Sequence, residues 1–91
     1  MTTRSLRCVV SGKVQGVYFR AWIHDQAVSL GLKGWVRNIA DGRVETLAQG
    51  PEDALEEFRV RLRQGSPLSR VDALECDWLD YDKAHTEFDI R

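Results

Sequence analysis

The stretch Gly12-Lys13-Val14-Gln15-Gly16-Val17-Tyr18-Phe19-Arg20 constrains this chain more than any other. An apolar run, Leu6 to Val10, precedes it, and a helical pattern begins at Ala21. Strand, glycine-bearing turn and helix in that order commit the opening of the chain to a βα unit. The turn carries no acidic side chain, and Arg20 stands where the helix opens. Backbone N–H groups at such a junction can converge on one point, and a guanidinium adds charge there. The stretch therefore has the make-up of a cradle for a phosphate-sized anion. The plainer reading is a turn that needs glycine, with Arg20 solvated. Nucleotide-binding loops are excluded by spacing: no Gly-Lys-Ser/Thr follows, and G-x-G-x-x-G is absent. An arginine at a helix N-terminus opposes the helix dipole, at a cost of roughly 0.3–1 kcal/mol that a bound anion would remove.

The remaining elements follow from periodicity. Residues 5–12 alternate, with Leu6, Cys8 and Val10 on one face and Arg7, Val9 and Ser11 on the other. Phe19, Trp22, Ile23, Ala27 and Leu30 share one face of a helix, and Gly31 supplies its left-handed stop, with Leu32 folding back. Gly34 to Ala40 is a second strand. Asp41-Gly42 signals a tight hairpin turn of the primed type, and Val44 to Gln49 is the third strand. Pro51 is expected at the first position of a second helix, followed by acids that suit its dipole. Leu55, Phe58 and Leu62 make its buried stripe and Gly65 ends it. A loop, Ser66 to Ser69, leads to a fourth strand from Val71 to Leu79, with Leu74, Cys76 and Trp78 on one face. Residues 80–86 are polar, and Glu87 to Ile90 alternates as a short last strand.

The order βαββαβ, plus that terminal strand, predicts an α+β fold with a mainly antiparallel sheet and both helices on one face. A right-handed crossover makes strands one and two parallel, so their carboxyl ends share one edge of the sheet. That brings the loop 13–20 near Asn38, at the edge where ligands of α/β sheets tend to bind. Asparagine is depleted in strands. On composition alone Asn38 reads as an edge-strand amide bonded to backbone. Beside an anion cradle it would instead accept from a water and donate to an oxyanion.

Length and charge limit the alternatives. The 91 residues, 43% of them hydrophobic, are expected to form one domain, 1–91, around one core. A formal net charge of -1 creates no field that favours nucleic acid or a membrane surface. The N-terminus has no apolar export segment, and a cytoplasmic protein is expected. Cys8 and Cys76 form no C-x-x-C pair and are expected as buried free thiols, with a disulfide open only if their strands are neighbours. His24 and His85 share no metal-ligand spacing with them, so neither metal nor cofactor is expected. Tyr18 is a candidate for shaping access to the loop.

Gly12-x-Val14-Gln15-Gly16-Val17-x-Phe19-Arg20 resembles the phosphate-loop signature of acylphosphatases. Gly34-Trp35-Val36-Arg37-Asn38-x-x-x-Gly42-x-Val44, closed by Gly50, resembles the second signature of that family. The likeness runs from Leu6 to Arg91. It implies a ferredoxin-like βαββαβ sandwich with sheet order 4-1-3-2. It also implies hydrolysis of acyl phosphates to a carboxylate and inorganic phosphate without a metal. The substrate would be a small acyl phosphate, with phosphate as product and inhibitor, acted on by a monomer. By resemblance Arg20 binds the phosphate, the backbone amides of Gln15, Gly16, Val17, Tyr18, Phe19 and Arg20 cradle it, and Asn38 holds the attacking water. Ile39 departs from the pattern, standing where many relatives carry a hydroxyl. The terminal carboxylate of Arg91 could approach the edge of the site.

Two other functions compete. A non-catalytic phosphate-sensing or interaction module on the same fold would bind phosphate and turn nothing over. An RNA-recognition motif shares the element order but needs exposed aromatics on its third strand. Here that strand is Val44-Glu45-Thr46-Leu47-Ala48-Gln49, which has none.

Overall fold

The structure is a computed structural model that describes residues 3–80 and 83–91. The elements in chain order are β1 (Arg4–Lys13), α1 (Phe19–Ser29), β2 (Lys33–Asn38), β3 (Val44–Gly50), α2 (Glu52–Gln64), β4 (Arg70–Leu79) and β5 (Phe88–Ile90). Every strand and helix expected from the periodicity is present, with ends displaced by one or two residues. Within the polar segment 80–86, residues 81 and 82 lie outside the described residues.

The strands form one sheet in the order β4-β1-β3-β2-β5. β1 pairs antiparallel with β3 and β4, β2 pairs antiparallel with β3, and β5 adds to β2 in parallel. The sheet order 4-1-3-2 is therefore present, extended by the terminal strand. β1 and β2 both run against β3, so they run parallel to each other.

The core lies between one sheet face and the two helices. Leu6, Cys8, Val10, Val36, Val44 and Ala48 come from the sheet, Phe19, Ile23 and Ala27 from α1, and Leu55, Phe58 and Leu62 from α2. All are buried, as the alternation in β1 and the helical stripes require. At the end of α1, the amide of Leu32 donates to the Ala27 carbonyl at 2.9 Å and that of Gly31 to Val28 at 3.0 Å, the bonds that close a helix through a left-handed residue.

Three expectations are corrected. Cys8 and Cys76 are not free thiols; they face each other across the β1–β4 pair and form a disulfide. The pairing is a matter of register, which a sequence separation of 68 does not display. Asp41-Gly42 is not a primed turn. The Gly42 amide donates to the Ile39 carbonyl and the Ile39 amide to the Arg43 carbonyl, and only Gly42 has positive φ. That is a three-residue loop, a normal turn followed by a left-handed glycine. Pro51 sits one position before the helix, extended at ψ 148°, and its carbonyl accepts the first helical bond from Leu55.

At the β1–β4 pair the register shifts between Ser11 and Gly12. Gly12 has φ +132°, and a Cβ there would lie 2.1 Å from the Arg70 carbonyl oxygen. Only glycine lets the two backbones approach this closely, and this approach sets the point from which the loop leaves the sheet.

Candidate active site

The loop after β1 turns twice through left-handed backbone, at Gly16 (φ 73°) and Tyr18 (φ 59°), with Val17 between them outside that region. Alternation of this kind points successive N–H groups toward a common concavity. Gly16 has open space around its Cβ position, so its glycine answers a demand of the backbone and not of packing. Tyr18 is a non-glycine residue in a conformation that costs roughly 1–2 kcal/mol. Its side chain, 83% exposed, contributes little burial to offset that cost. Strain of this size, once observed, suggests function.

Tyr18 occupies the N-cap of α1, yet no side chain caps the helix and no acid stands in its first turn. The opening amides are thus left without a side-chain acceptor, beside the guanidinium of Arg20. A cleft of about 410 Å³ opens here, lined by Gly16, Tyr18, Phe19, Arg20 and Asn38, with Ile90 at its rim. Arg20 and Asn38, 18 residues apart in sequence, thus share one cleft. Arg20 reaches it from the first turn of α1 and Asn38 from the last residue of β2, as the parallel β1 and β2 require.

The other loop residues divide. Phe19 is buried and anchors the helix start, stacked on Trp22 at 5.4 Å between ring centroids. The Val17 side of the loop faces a second, separate groove. Gln15 turns its side chain away from the cleft toward the β2–β3 hairpin. Its Nε2 donates to the Ile39 carbonyl at 3.1 Å and to the Arg43 carbonyl at 2.9 Å. Both partners are acceptors, so the NH₂ end of the amide must face them. This clip was not foreseen; nothing local to Gln15 identifies carbonyls 24 and 28 residues away. Arg20 in turn donates from Nη1 to the backbone oxygen of Arg91 at 2.7 Å. The Arg91 amide is held by the Val36 carbonyl at 2.8 Å, so β2 positions this acceptor. The guanidinium is thereby oriented with part of its donor set still available.

Outside the cleft, charge is concentrated on the open face of the sheet. Glu45 on β3 is buried between Arg7 and Arg37, with Arg37 Nη2 at 2.6 Å. Burial pushes its carboxyl up, and hydrogen bonds from Arg37 and Arg7 outweigh this, leaving it below its ordinary value of 4.5. The face that an RNA-recognition motif would use for stacking is thus occupied on β3 by an ion-paired carboxylate.

The Acylphosphatase family model matches residues 6–90. An acylphosphatase of Rhizorhabdus wittichii is 59% identical over 71 residues, 78% of this chain and 72% of that protein. One from Halorhodospira halophila is 46% identical over 89 residues, 98% of this chain and 96% of that protein. The crystal structure of acylphosphatase from Bacillus subtilis superposes with a TM-score of 0.93 at 41% identity, covering 97% of this chain and 98% of that one. With the family model matched over most of the chain and relatives matched over most of their own length, the chain belongs to the acylphosphatase family and is a hydrolase of acyl phosphates.

Proposed function

We propose that Arg20 and the amides of the loop Gln15–Arg20 hold the phosphoryl group while Asn38 presents the attacking water. The observation that carries this is the shared cleft, whose lining includes both Arg20 from the helix and Asn38 from the strand. Phosphoryl transfer asks the protein for position and charge stabilisation more than for covalent chemistry. The planar fork of arginine can meet two phosphoryl oxygens at once, and the loop amides can meet others. Asn38 accepts a hydrogen bond from the water through its carbonyl, which fixes the oxygen lone pair toward phosphorus and removes an entropic cost. Water adds to phosphorus, and the bond from phosphorus to the carboxylate oxygen breaks. The carboxylate leaves with the electron pair, and the protons of the water stay on phosphate or pass to solvent.

A carboxylate is a stable leaving group, so no strong general acid is required and the charge is carried by Arg20 and the amides. On this reading hydrolysis needs no metal, the substrate is a small acyl phosphate, and one copy of the 1–91 domain is sufficient. None of the helices among the described residues is long and apolar enough to cross a membrane. We place the chain in the cytoplasm, where reducing thiols oppose the Cys8–Cys76 bond. Alkylation of thiols in freshly lysed cells reads both points at once.

The central test is phosphate release from acetyl phosphate in the presence of a chelator. The wild type turns over, and Arg20→Ala lowers kcat/KM by roughly 10²–10³, the scale of losing one donor to a developing oxyanion. A chain that binds phosphate and releases none from acetyl phosphate would be a sensing module.

A further inference from the structure

A second groove, of about 270 Å³, opens beside the phosphoryl cleft. Its walls are Val17 and Tyr18 of the loop, Trp22 of α1, and Ser66, Pro67 and Leu68 of the segment entering β4. Tyr18 lines both spaces, so the two adjoin at one side chain. Leu68 is 65% exposed, a large apolar residue left on the surface beside Tyr18. Ser66 is nine-tenths buried in this wall, and its hydroxyl oxygen has no hydrogen-bond partner among the described residues. A buried hydroxyl without a partner costs free energy.

We infer that this groove receives the apolar acyl group of the substrate, and that Tyr18, Trp22 and Leu68 set a preference for aryl or branched acyl phosphates over acetyl phosphate. The inference rests on the roles proposed above for Arg20 and Asn38. Displacement at phosphorus places the attacking and leaving oxygens in line on opposite sides. The sheet order β4-β1-β3-β2 puts the loop after β1 between two neighbours. On the β2 side lies Asn38, where the water is held. On the β4 side lies the segment Ser66–Leu68, since Lys13 at the end of β1 pairs with Arg70 at the start of β4. A leaving carboxylate opposite to Asn38 therefore points toward the groove. The walls supply apolar contact and aromatic rings. The phosphoryl cleft would bind every substrate alike, and discrimination would come from this wall.

The test compares benzoyl phosphate with acetyl phosphate in the wild type and in Leu68→Ser, a substitution at an exposed position. The ratio of kcat/KM, benzoyl over acetyl, should fall roughly tenfold in the variant, the discrimination that one or two methylene groups provide in an apolar pocket. The fall should lie in KM for benzoyl phosphate. In parallel, benzylphosphonate should bind the wild type more tightly than methylphosphonate, and Leu68→Ser should narrow that gap. A benzoyl-to-acetyl ratio that moves less than about twofold, with acetyl phosphate turned over normally, overturns the groove and leaves the phosphoryl site intact. If neither acyl phosphate is hydrolysed, the reading of the chemistry fails, and equal binding of the two phosphonates then overturns the groove separately.

Discussion

Gln15 Nε2 donates to the carbonyl oxygen of Arg43 at 2.9 Å, and that same oxygen accepts the amide of Ile39. One side chain of the loop after β1 thus closes onto the turn that follows Asn38. The two halves of the cleft belong to different βα and ββ units, and this clip ties them together.

Gln15→Ala should therefore act on geometry before stability. Loss of two hydrogen bonds to carbonyls costs roughly 0.5–1.5 kcal/mol each. Misplacement of Asn38 relative to Arg20 should lower kcat by roughly 10- to 100-fold, with a smaller change in inhibition by phosphate. Steady-state kinetics set beside urea unfolding separate the two effects. Unchanged kcat would show that the sheet alone holds Asn38 in place.

Gly12 and Gly16 should respond differently to alanine. At Gly12 the added Cβ meets the Arg70 carbonyl at 2.1 Å and the Asp72 amide at 2.8 Å, so the β1–β4 pairing must give way. Gly12→Ala should cost roughly 1–3 kcal/mol of stability or more. At Gly16 nothing lies within 4 Å, and only the left-handed backbone resists. Gly16→Ala should cost roughly 1 kcal/mol and lose proportionately more activity, because the nest of amides is what moves. Chemical denaturation and acetyl phosphate turnover on both variants check the contrast.

Glu45 makes stability depend on pH. Its folded carboxyl lies below 4.5 because Arg37 and Arg7 outweigh burial. A depressed acid contributes stability that is present above its unfolded value and lost as pH falls through its folded value. Wild-type urea midpoints should decline below pH 4.5, and Glu45→Gln should show a flatter decline with a lower midpoint at pH 7. Equal slopes for the two proteins would assign the acid sensitivity to other carboxylates.

The Cys8–Cys76 bond closes a long loop, with 68 residues of separation, and so restricts the unfolded chain strongly. Reduction, or Cys76→Ala, should lower stability by roughly 2–4 kcal/mol while leaving turnover near that of the wild type, since neither residue lines the cleft. Thermal melts with and without reductant, paired with thiol counting, measure this. A melting temperature insensitive to reductant would mean that the paired and unpaired chains are equally stable.

The element order, the two buried helical stripes and the pairing of Arg20 with Asn38 at one sheet edge were all legible in the sequence. They rest on local rules: residues two apart share a strand face, residues three and four apart share a helix face, and a right-handed crossover makes β1 and β2 parallel. Both signatures also lie in short continuous segments, so the family could be recognised before any contact was known. Tertiary structure alone decided the rest. Cys8 meets Cys76 because of strand register, and Gln15 meets Arg43 because the β2–β3 hairpin folds beneath the loop. The groove at Tyr18 exists because Leu68 arrives from the far end of α2. Each of these joins residues tens of positions apart through packing of the whole sheet against its helices, and no local period or propensity encodes such a meeting.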